Sequence, residues 1–393
     1  MNCFSRPNIA CWLTAAFFLS GIPGGGAVHA ENGVTDSEII FGQTAAFEGP
    51  AATLGKDMRD GILAAFDEVN QKGGIKGRKL ILKSYDDGYN PDRAIENVNR
   101  LIERDKIFAL IGGVGTPTAK AVQPLTTEKN IPFIGPFTGA AFLRQSDLKN
   151  VVNIRASYEQ ETEAWIEHLT KDLGISRVAV FYQDDSFGRA GLKGVNDALK
   201  RRNMDLVAEG KYMRNTTAVK RALLSIREGR PQAVAMIGAY KASAKFIQLA
   251  RSLDLDVIFL NISFVGTKAL SGELRGEDKG VYVTQVVPSP EDAALPIVAA
   301  YQKAMEAHDP TVERGFVSLE GYIAGRLVAT VLEQLEGAPS RTNFLNQINR
   351  QKEFELGGLG LFFGPGDNQG SDKVFLTEIL PSGQVKSIDR LAK

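Results

Sequence analysis

Two loops rich in Gly and Thr carry the groups in this sequence that are best suited to hold a small anion. The loops Gly113–Thr118 and Gly135–Gly139 each follow a short, continuous apolar run. Their glycines let backbone N–H groups approach a ligand, and Thr116 and Thr138 add hydroxyl donors. Helix capping and turn geometry are the ordinary alternative for both threonines. The chemistry predicted by this pattern is hydrogen bonding to a carboxylate or another oxyanion.

The two loops belong to one predicted β-α-β unit. The apolar runs Ile107–Ile111 and Ile131–Ile134 have the length and continuity of strands that are buried on both faces, and a helix is predicted to start near Thr118. In an open parallel sheet, ligands bind outside the carboxyl ends of the strands. We therefore expect both loops to lie side by side at one binding edge.

The same alternation of strand and helix continues along the chain. Further strands are predicted at Ile39–Gln43, Lys79–Tyr85, Val178–Tyr182, Leu206–Lys211, Ala233–Ile237, Val257–Leu260, Val281–Val286, Gly360–Phe363 and Val374–Leu380. Helices are predicted at about 188–202, 216–228, 241–253, 267–272, 291–307, 316–336 and 341–350. Since a single strongly twisted sheet rarely exceeds about 10 strands, the pattern predicts two doubly wound α/β lobes.

The composition excludes a strongly charged partner. The chain has 393 residues, with 46 Lys and Arg against 46 Asp and Glu. This length is enough for two domains with separate cores. The balanced charge predicts neither a nucleic-acid partner nor binding to an anionic membrane surface.

Residues 1–30 are predicted to be a secretory signal peptide. Arg6 precedes an apolar run from Ile9 to Ile22, and small residues end the segment at Ala30. A membrane anchor is the alternative, but the run is short for a bilayer span.

The cysteines lie within the segment that would be removed. Cys3 and Cys11 are the only two in the chain, and Cys11 is in a poor context for a lipoprotein signal. The mature chain, beginning at Glu31, is therefore expected to have no disulfide and to depend on its core for stability.

Several stretches of the sequence, in their order and spacing, carry a family resemblance. They are Gly49-Pro50 with Gly55 and Gly61, the run Ala65–Arg78, Tyr85-Asp86-Asp87 with Pro91, Ile111-Gly112 before the threonine loop, and Asp184-Asp185-Ser186-Phe187-Gly188. Together they resemble the leucine/isoleucine/valine-type periplasmic binding proteins over residues 34 to 380. The resemblance implies a type I Venus flytrap: two Rossmann-like α/β lobes, joined by three crossovers, that close on a small ligand in the periplasm. An ABC importer permease would then receive the ligand.

The resemblance also implies how the lobes are divided. Lobe 1 is expected to comprise 34–155 and 285–362, and lobe 2 to comprise 156–284 and 363–393. Hinges are expected near Arg155, Thr284 and Phe363. The protein is expected to be a monomer without a cofactor.

The family's ligand-binding positions fall on eight residues of this sequence. They are Leu54, Thr116, Phe137, Thr138, Gly139, Phe187, Tyr240 and Ser263. The resemblance assigns Thr116 to the ligand carboxylate. It assigns Phe187 and Tyr240 to stacking on the ligand, although an aromatic side chain at such a position is often simply part of the core.

Ser263 departs from the family pattern. Amino-acid binders of the family have a glutamate there that pairs with the ligand's ammonium group, and a serine cannot supply that charge. This favours a carboxylate with a hydrophobic part as the ligand. Branched-chain amino acids stay the alternative, because Glu48, Asp184 or Asp185 could supply a carboxylate from elsewhere.

Other functional classes find weaker support. An extracytoplasmic sensor would use the same two lobes, whereas a secreted α/β enzyme would need a nucleophile or base in the cleft. His168 and His308 have no evident partner in the sequence, and no nucleophile-elbow or zinc-protease motif is present. Gly113-x-Gly115 is only part of a dinucleotide fingerprint. The acidic loop Asp367–Asp372 lacks calcium-loop spacing and is predicted to be a solvated turn between the lobes. No catalytic residue and no metal site are predicted.

Overall fold

The protein folds into two α/β lobes. The computed structural model describes residues 1–4 and 31–392, so most of the predicted signal peptide lies outside the described residues. Residues from Glu31 onward form one compact unit. Among the described helices, none has both the length and the apolar character that crossing a bilayer requires.

The first lobe is built on a sheet of five parallel strands in the order β2-β1-β3-β4-β5. These strands are β1 Glu38–Ala45, β2 Lys79–Asp86, β3 Ala109–Ile111, β4 Phe133–Ile134 and β5 Val151–Val152. The helices between them are α1 Ala52–Gln71, α2 Pro91–Glu103 and α3 Thr116–Glu128. All three residues of β3 are buried, as its continuous apolar sequence predicts.

The second lobe is built on a sheet of seven strands in the order β14-β13-β10-β9-β8-β6-β7, with β13 and β14 antiparallel to their neighbours. Its strands are β6 Val178–Gln183, β7 Ala208–Tyr212, β8 Ala233–Ile237, β9 Ile258–Asn261, β10 Val281–Gln285, β13 Phe375–Ile379 and β14 Val385–Ile388. Its helices are α4 Tyr158–Leu173, α5 Ser186–Lys200, α6 Lys220–Glu228, α7 Tyr240–Ser252 and α8 Thr267–Leu274.

Three helices near the end of the chain return to the first lobe. They are α9 Pro296–His308, α10 Phe316–Gln334 and α11 Arg341–Gln351, followed by the hairpin strands β11 Glu353–Glu355 and β12 Gly360–Phe362. Helix α10 crosses α1 in backbone contact. A Cβ at Gly61 would lie 1.9 Å from the Ser318 carbonyl oxygen, so this approach requires glycine. The two helices are thereby fixed beside the first sheet.

The chain passes between the two sheets three times. The passages lie between β5 and α4, between β10 and α9, and between β12 and β13. The predicted fold, two doubly wound lobes joined by three crossovers, is confirmed. The exact lobe boundaries and hinge residues given above stay predictions.

Element ends differ from the predictions where side chains intervene. Strand β3 begins at Ala109 rather than at Ile107, because the Ile107 and Phe108 carbonyls accept hydrogen bonds from Arg341. Helix α6 begins at Lys220 rather than at 216, since the Thr216 hydroxyl closes a turn on the Met213 carbonyl, 2.7 Å away.

The acidic loop is not simply a solvated turn. Asp367 and Asp372 at its ends are exposed, but Asn368 and Gln369 are half-buried. The Asn368 carbonyl accepts a hydrogen bond from the Asn153 N–H at 2.8 Å, and Gln369 bonds to Gln160 at 2.9 Å. The loop thus fastens the third crossover to the first.

Candidate functional site

The candidate site lies where the carboxyl ends of the two sheets face each other. In the first sheet, β2 and β3 lie on opposite sides of β1, and in the second, β7 and β8 lie on opposite sides of β6. Both are topological switch points, where open α/β sheets form their binding crevices. The eight residues predicted from the sequence follow β1, β3, β4, β6, β8 and β9, either in the loops after these strands or in the first turns of the helices that come next.

The two threonine loops of the first lobe are in contact. The hydroxyls of Thr116 and Thr138 are 2.6 Å apart, and both side chains are buried. The Phe137 N–H donates to the Gly113 carbonyl at 2.8 Å, which holds the loops together. Two hydroxyls have two protons, and the bond between them uses only one. The pair can therefore donate its second proton to an oxygen placed beside it.

Two glycines let tyrosine rings approach these loops. Gly115 has φ of +105°, and a Cβ there would lie 2.1 Å from the ring of Tyr89. A Cβ at Gly139 would lie 2.6 Å from the ring of Tyr158, whose N–H donates to the Gly139 carbonyl at 2.8 Å. Larger residues at either position would displace a ring from the site.

Five buried aromatic rings, which we call the aromatic cluster, lie between the lobes. They are Tyr89, Phe137, Tyr158, Phe187 and Phe264. Phe264, from the loop after β9, is central, with its ring centroid 6.0 Å from Tyr89, 5.2 Å from Phe137 and 4.6 Å from Phe187. The rings come from both lobes and form an apolar surface suited to a flat ligand body.

Leu54 and Tyr240 lie at contacts between the lobes. Leu54 packs against Gly266, where a Cβ would come within 2.4 Å of the leucine side chain. The Tyr240 hydroxyl donates to Thr53 Oγ1 at 3.1 Å. Elsewhere along the cleft, the Asn215 amide donates to the Gly88 carbonyl at 2.9 Å. The lobes are therefore in the closed arrangement.

Ser263 is hydrogen-bonded to the carboxylate of Glu161. The Ser263 N–H donates to Glu161 Oε2 and its hydroxyl donates to Oε1, both at 2.8 Å, and the Thr284 hydroxyl donates to Oε2. Burial raises the pKa of Glu161, while Arg155 and these hydrogen bonds oppose the rise. Glu161 is fully buried in α4, and the sequence analysis did not name it.

The three carboxylates named from the sequence lie elsewhere. Glu48 is exposed. Asp184 pairs with Arg189 at 2.7 Å and with Lys211 at 2.9 Å. Asp185 caps α5 by accepting the Phe187 N–H at 2.9 Å. The two aspartates therefore have partners of their own, and none of the three carboxylates contacts Ser263 in the described part of the chain.

Arg155 is the buried cation of the site. Its side chain is 0% exposed, and its guanidinium lies 4.7 Å from the centroid of the Phe137 ring. One terminal nitrogen donates to the Ser263 hydroxyl. Its Nε is 3.5 Å from Glu320 Oε1, which is close enough for an ion pair but not for a hydrogen bond. The guanidinium therefore contacts Phe137 and Glu320 of the first lobe and Ser263 of the second.

Glu320 and Arg144 complete the charged surroundings of Arg155. Burial raises the pKa of Glu320 to about 7, opposed by Arg155 and reinforced by Glu161. Burial also lowers the pKa of Arg144 to about 10, so Arg144 stays charged at neutral pH. Arg155 and Arg144 therefore lie near two carboxylates. Both oxygens of Glu161 accept hydrogen bonds, whereas Glu320 is partly protonated near neutral pH.

Sequence signals for the missed residues differ in strength. Arg155, Tyr158 and Glu161 follow β5, so the strand-end rule that identified Thr116 also applies to them. Phe264 directly follows Ser263. Glu320 lies within α10, and no local pattern distinguishes it from other helical glutamates.

Both histidines of the described chain have carboxylate partners, which corrects the expectation that they have none. His168 Nδ1 lies 2.8 Å from Asp172 and His308 Nδ1 lies 2.6 Å from Asp67. These pairs are partly exposed. In residues 31–392, neither imidazole is hydrogen-bonded to a Ser or Thr hydroxyl. The pairs therefore lack the arrangement of a nucleophilic triad.

Comparison with known proteins places the chain among binding proteins. The family described as periplasmic binding protein matches residues 38–384. A solved structure of a possible leucine/isoleucine/valine-binding protein from Rhodopirellula baltica SH 1 is 38% identical. It has a TM-score of 0.86 and covers 90% of this chain and 96% of that one.

Two curated relatives are more distant. The leucine-specific-binding protein of Salmonella typhimurium is 22% identical over 86% of this chain and 89% of its own length. The Leu/Ile/Val-binding protein BraC3 of Rhizobium johnstonii is 29% identical, over 42% of this chain and 43% of that protein. The second match thus spans less than half of either chain.

Proposed function

The chain belongs to the periplasmic binding protein family, in its leucine/isoleucine/valine-binding type, and we propose that it captures a small organic solute by lobe closure and delivers it to an ABC importer. The aromatic cluster is the observation that best supports this. Tyr89 and Phe137 come from the first lobe and Phe187 and Phe264 from the second, so a solute among these rings contacts both lobes only when the cleft is shut. At the level of the family, the relatives are binding proteins, not enzymes.

Closure follows from differential binding. A solute that makes more contacts in the closed form shifts the open–closed equilibrium toward that form. At the rim of the cleft the polar contacts are weak: the Tyr240–Thr53 hydrogen bond is neutral and worth about 1 kcal/mol, and the exposed Lys268–Glu313 ion pair is worth about 0–1 kcal/mol. The solute's own contacts are then able to decide which form predominates.

The proposed site consists of the eight residues predicted from the sequence. Thr116, Thr138 and the loop at Gly139 serve an anionic oxygen, while Leu54, Phe137, Phe187 and Tyr240 serve the apolar body and the cleft rim. Ser263 connects the site to Glu161 and Arg155. These groups suit an amino acid or a hydrophobic or aromatic carboxylate.

The remaining proposals concern the protein's location and assembly. The family places it in the periplasm, and we propose export through a signal peptide at residues 1–30, with Glu31 as the first mature residue. The partner that follows from this role is an ABC importer permease. The binding protein itself acts as a monomer.

Solute should make the protein more compact. Thermal-shift screening of amino acids and their deaminated acids identifies a binder, since a solute at 100 times its Kd stabilises the folded state by about 2.7 kcal/mol. Small-angle scattering with and without that solute should then show a smaller radius of gyration in its presence. A radius that stays the same at saturation would contradict closure and indicate a rigid binder.

Thr116→Val should weaken solute binding while leaving the fold intact. The substitution removes a buried hydroxyl from the pair at the start of α3, and a hydrogen bond to a charged group is worth about 1.5–3 kcal/mol. The Kd should therefore rise roughly tenfold or more, measured by calorimetry.

Thr126→Val is the matched control on the same helix. Thr126 is equally buried, and its hydroxyl donates to the Gln123 carbonyl at 2.9 Å. It follows Thr116 by ten residues, about 15 Å along the helix. The control should lose similar stability and keep its affinity; equal affinities of Thr116→Val and the natural protein would place the solute elsewhere.

A further inference from the structure

Four buried polar atoms near the aromatic cluster have no hydrogen-bond partner within residues 31–392. They are Nε and Nη1 of Arg155, the hydroxyl of Tyr158 and Oε1 of Glu320. Buried polar groups in folded proteins are nearly always paired, so several unpaired ones at one place need an explanation. Arg155 is 0% and Tyr158 0% exposed, so bulk solvent does not pair them.

These atoms belong to neighbouring side chains beside the threonine pair. Burial raises the pKa of Tyr158, and Arg155 and the neighbouring hydroxyls of Thr138 and Thr116 oppose the rise, although the Tyr158 hydroxyl makes no well-formed hydrogen bond to either threonine. Arg155 lies over the ring of Phe137, the residue next to Thr138. The unpaired donors and the threonine pair therefore belong to the same end of the site.

Donors outnumber acceptors at this position. Arg155 contributes two unpaired nitrogens, Tyr158 one hydroxyl and the threonine pair one spare proton, against a single oxygen of Glu320. A group with two acceptor oxygens and a negative charge satisfies such a set, and a guanidinium commonly binds it through two hydrogen bonds. The group with these properties on a small organic molecule is a carboxylate.

An ammonium group is poorly matched to the same surroundings. It needs acceptors, and both oxygens of Glu161 already accept hydrogen bonds from Ser263 and Thr284. Arg155 and Arg144 would also repel a second cation.

We propose that the solute is a carboxylate without an α-ammonium group, with a flat aromatic or similarly sized apolar body, and that Arg155 and Tyr158 hold its carboxylate. The apolar body lies against the aromatic cluster. This inference rests on the proposed solute-binding function and narrows it to one class of ligand. It also adds two specificity residues to those predicted from the sequence.

The test compares molecules that share a body and differ in the polar group. The probes are 3-phenylpropionate, 3-phenylpropionamide and L-phenylalanine, with 4-methylpentanoate and L-leucine as an aliphatic pair. Calorimetry should show each acid binding at least roughly tenfold more tightly than its amide or amino acid, as expected for a charge-assisted hydrogen bond. Amino acids that bind as tightly as the acids, or a panel in which no probe binds, would overturn the inference.

Two variants test the assigned residues. Tyr158→Phe removes only a hydroxyl that has no protein partner, so it should keep the melting temperature and reduce the preference of acid over amide roughly tenfold. Arg155→Met should abolish that preference, and Arg155→Lys should restore part of it. General damage to the fold lowers the affinity for acid and amide alike, whereas loss of the carboxylate contact changes their ratio.

The control is Tyr322→Phe, whose hydroxyl donates to Glu68 instead and which should keep the natural ratio. An unchanged ratio in Tyr158→Phe and Arg155→Lys would contradict the assignment. If the protein closes on amino acids only, the proposed function holds and the inference about the carboxylate is wrong. If the protein binds the acids without becoming more compact, the inference holds and the proposed lobe closure is wrong.

Discussion

Glu161→Gln should destabilise the folded protein by about 3–5 kcal/mol, because it removes a buried charge that lies near Arg155 and accepts three hydrogen bonds. Glu161 is fully buried, and three donors from Ser263 and Thr284 converge on its two oxygens. Glutamine removes the charge that balances Arg155. Its amide nitrogen would also replace an acceptor oxygen and oppose one of those donors.

The expected loss of stability follows from the position of Glu161 between two of the crossovers. Glu161 follows the first passage between the lobes, and Thr284 lies at the end of β10, just before the second. Their contact fastens the two passages together beside Ser263. Chemical denaturation should therefore show a lower midpoint for the variant, with solute added or not.

Glu163→Gln is the matched control on the same helix. Glu163 is partly exposed and pairs with Arg202 at 2.7 Å and with Arg201. Exposed ion pairs are worth about 0–1 kcal/mol, so this variant should stay near the natural stability. If the two variants unfold at the same denaturant concentration, Glu161 does not have the buried role assigned to it.

The sequence predicted those features that depend on local pattern. Buried strands such as β8 follow from residue type and order. The Thr116–Thr138 pair was predictable because parallel strands bring their following loops to one edge. For these features, a short stretch of chain contains the physical cause.

Features that depend on contacts between distant segments were not predictable in this way. Glu161 meets Ser263 across more than a hundred residues of sequence, and Arg155 meets Glu320 across still more. From the sequence alone, a glutamate in the first turn of a helix is expected to be solvated, and only the fold shows that Glu161 is buried. The sequence identified Ser263 as unusual, but only the fold shows which charge lies beside it.

Glu320 should make stability depend on pH, and Glu320→Gln should remove that dependence. The pKa of Glu320 is raised from 4.5 to about 7, mainly by burial. Between these values the folded state holds a proton that the unfolded state has released. Stability is therefore greatest below the unfolded pKa and falls as the pH rises toward about 7, by roughly 3 kcal/mol in all.

The measurement is the free energy of unfolding of both proteins at about pH 5 and about pH 8. Asp57 and Asp87, whose pKa values burial raises to about 7 and about 6, act in the same direction, so the difference between the two proteins isolates Glu320. At the higher pH, the free energy of unfolding should be larger with glutamine at position 320 than with the natural glutamate. Glu333→Gln, at an exposed position of α10, should show no such change relative to the natural protein.

Carboxylate binding should respond to the same proton. Ionised Glu320 competes with a solute carboxylate for Arg155, whereas protonated Glu320 leaves the guanidinium to the solute and can donate a hydrogen bond. Arg144 keeps its charge across this range, and Glu161, whose pKa burial also raises, is present in both the natural protein and the Glu320→Gln variant. The affinity for 3-phenylpropionate should therefore fall as the pH rises from about 6 to about 8, because binding takes up a proton. Glu320→Gln should remove this dependence of the affinity on pH. If the affinity of the natural protein does not change with pH, or if the variant shows the same change, Glu320 does not influence the bound carboxylate.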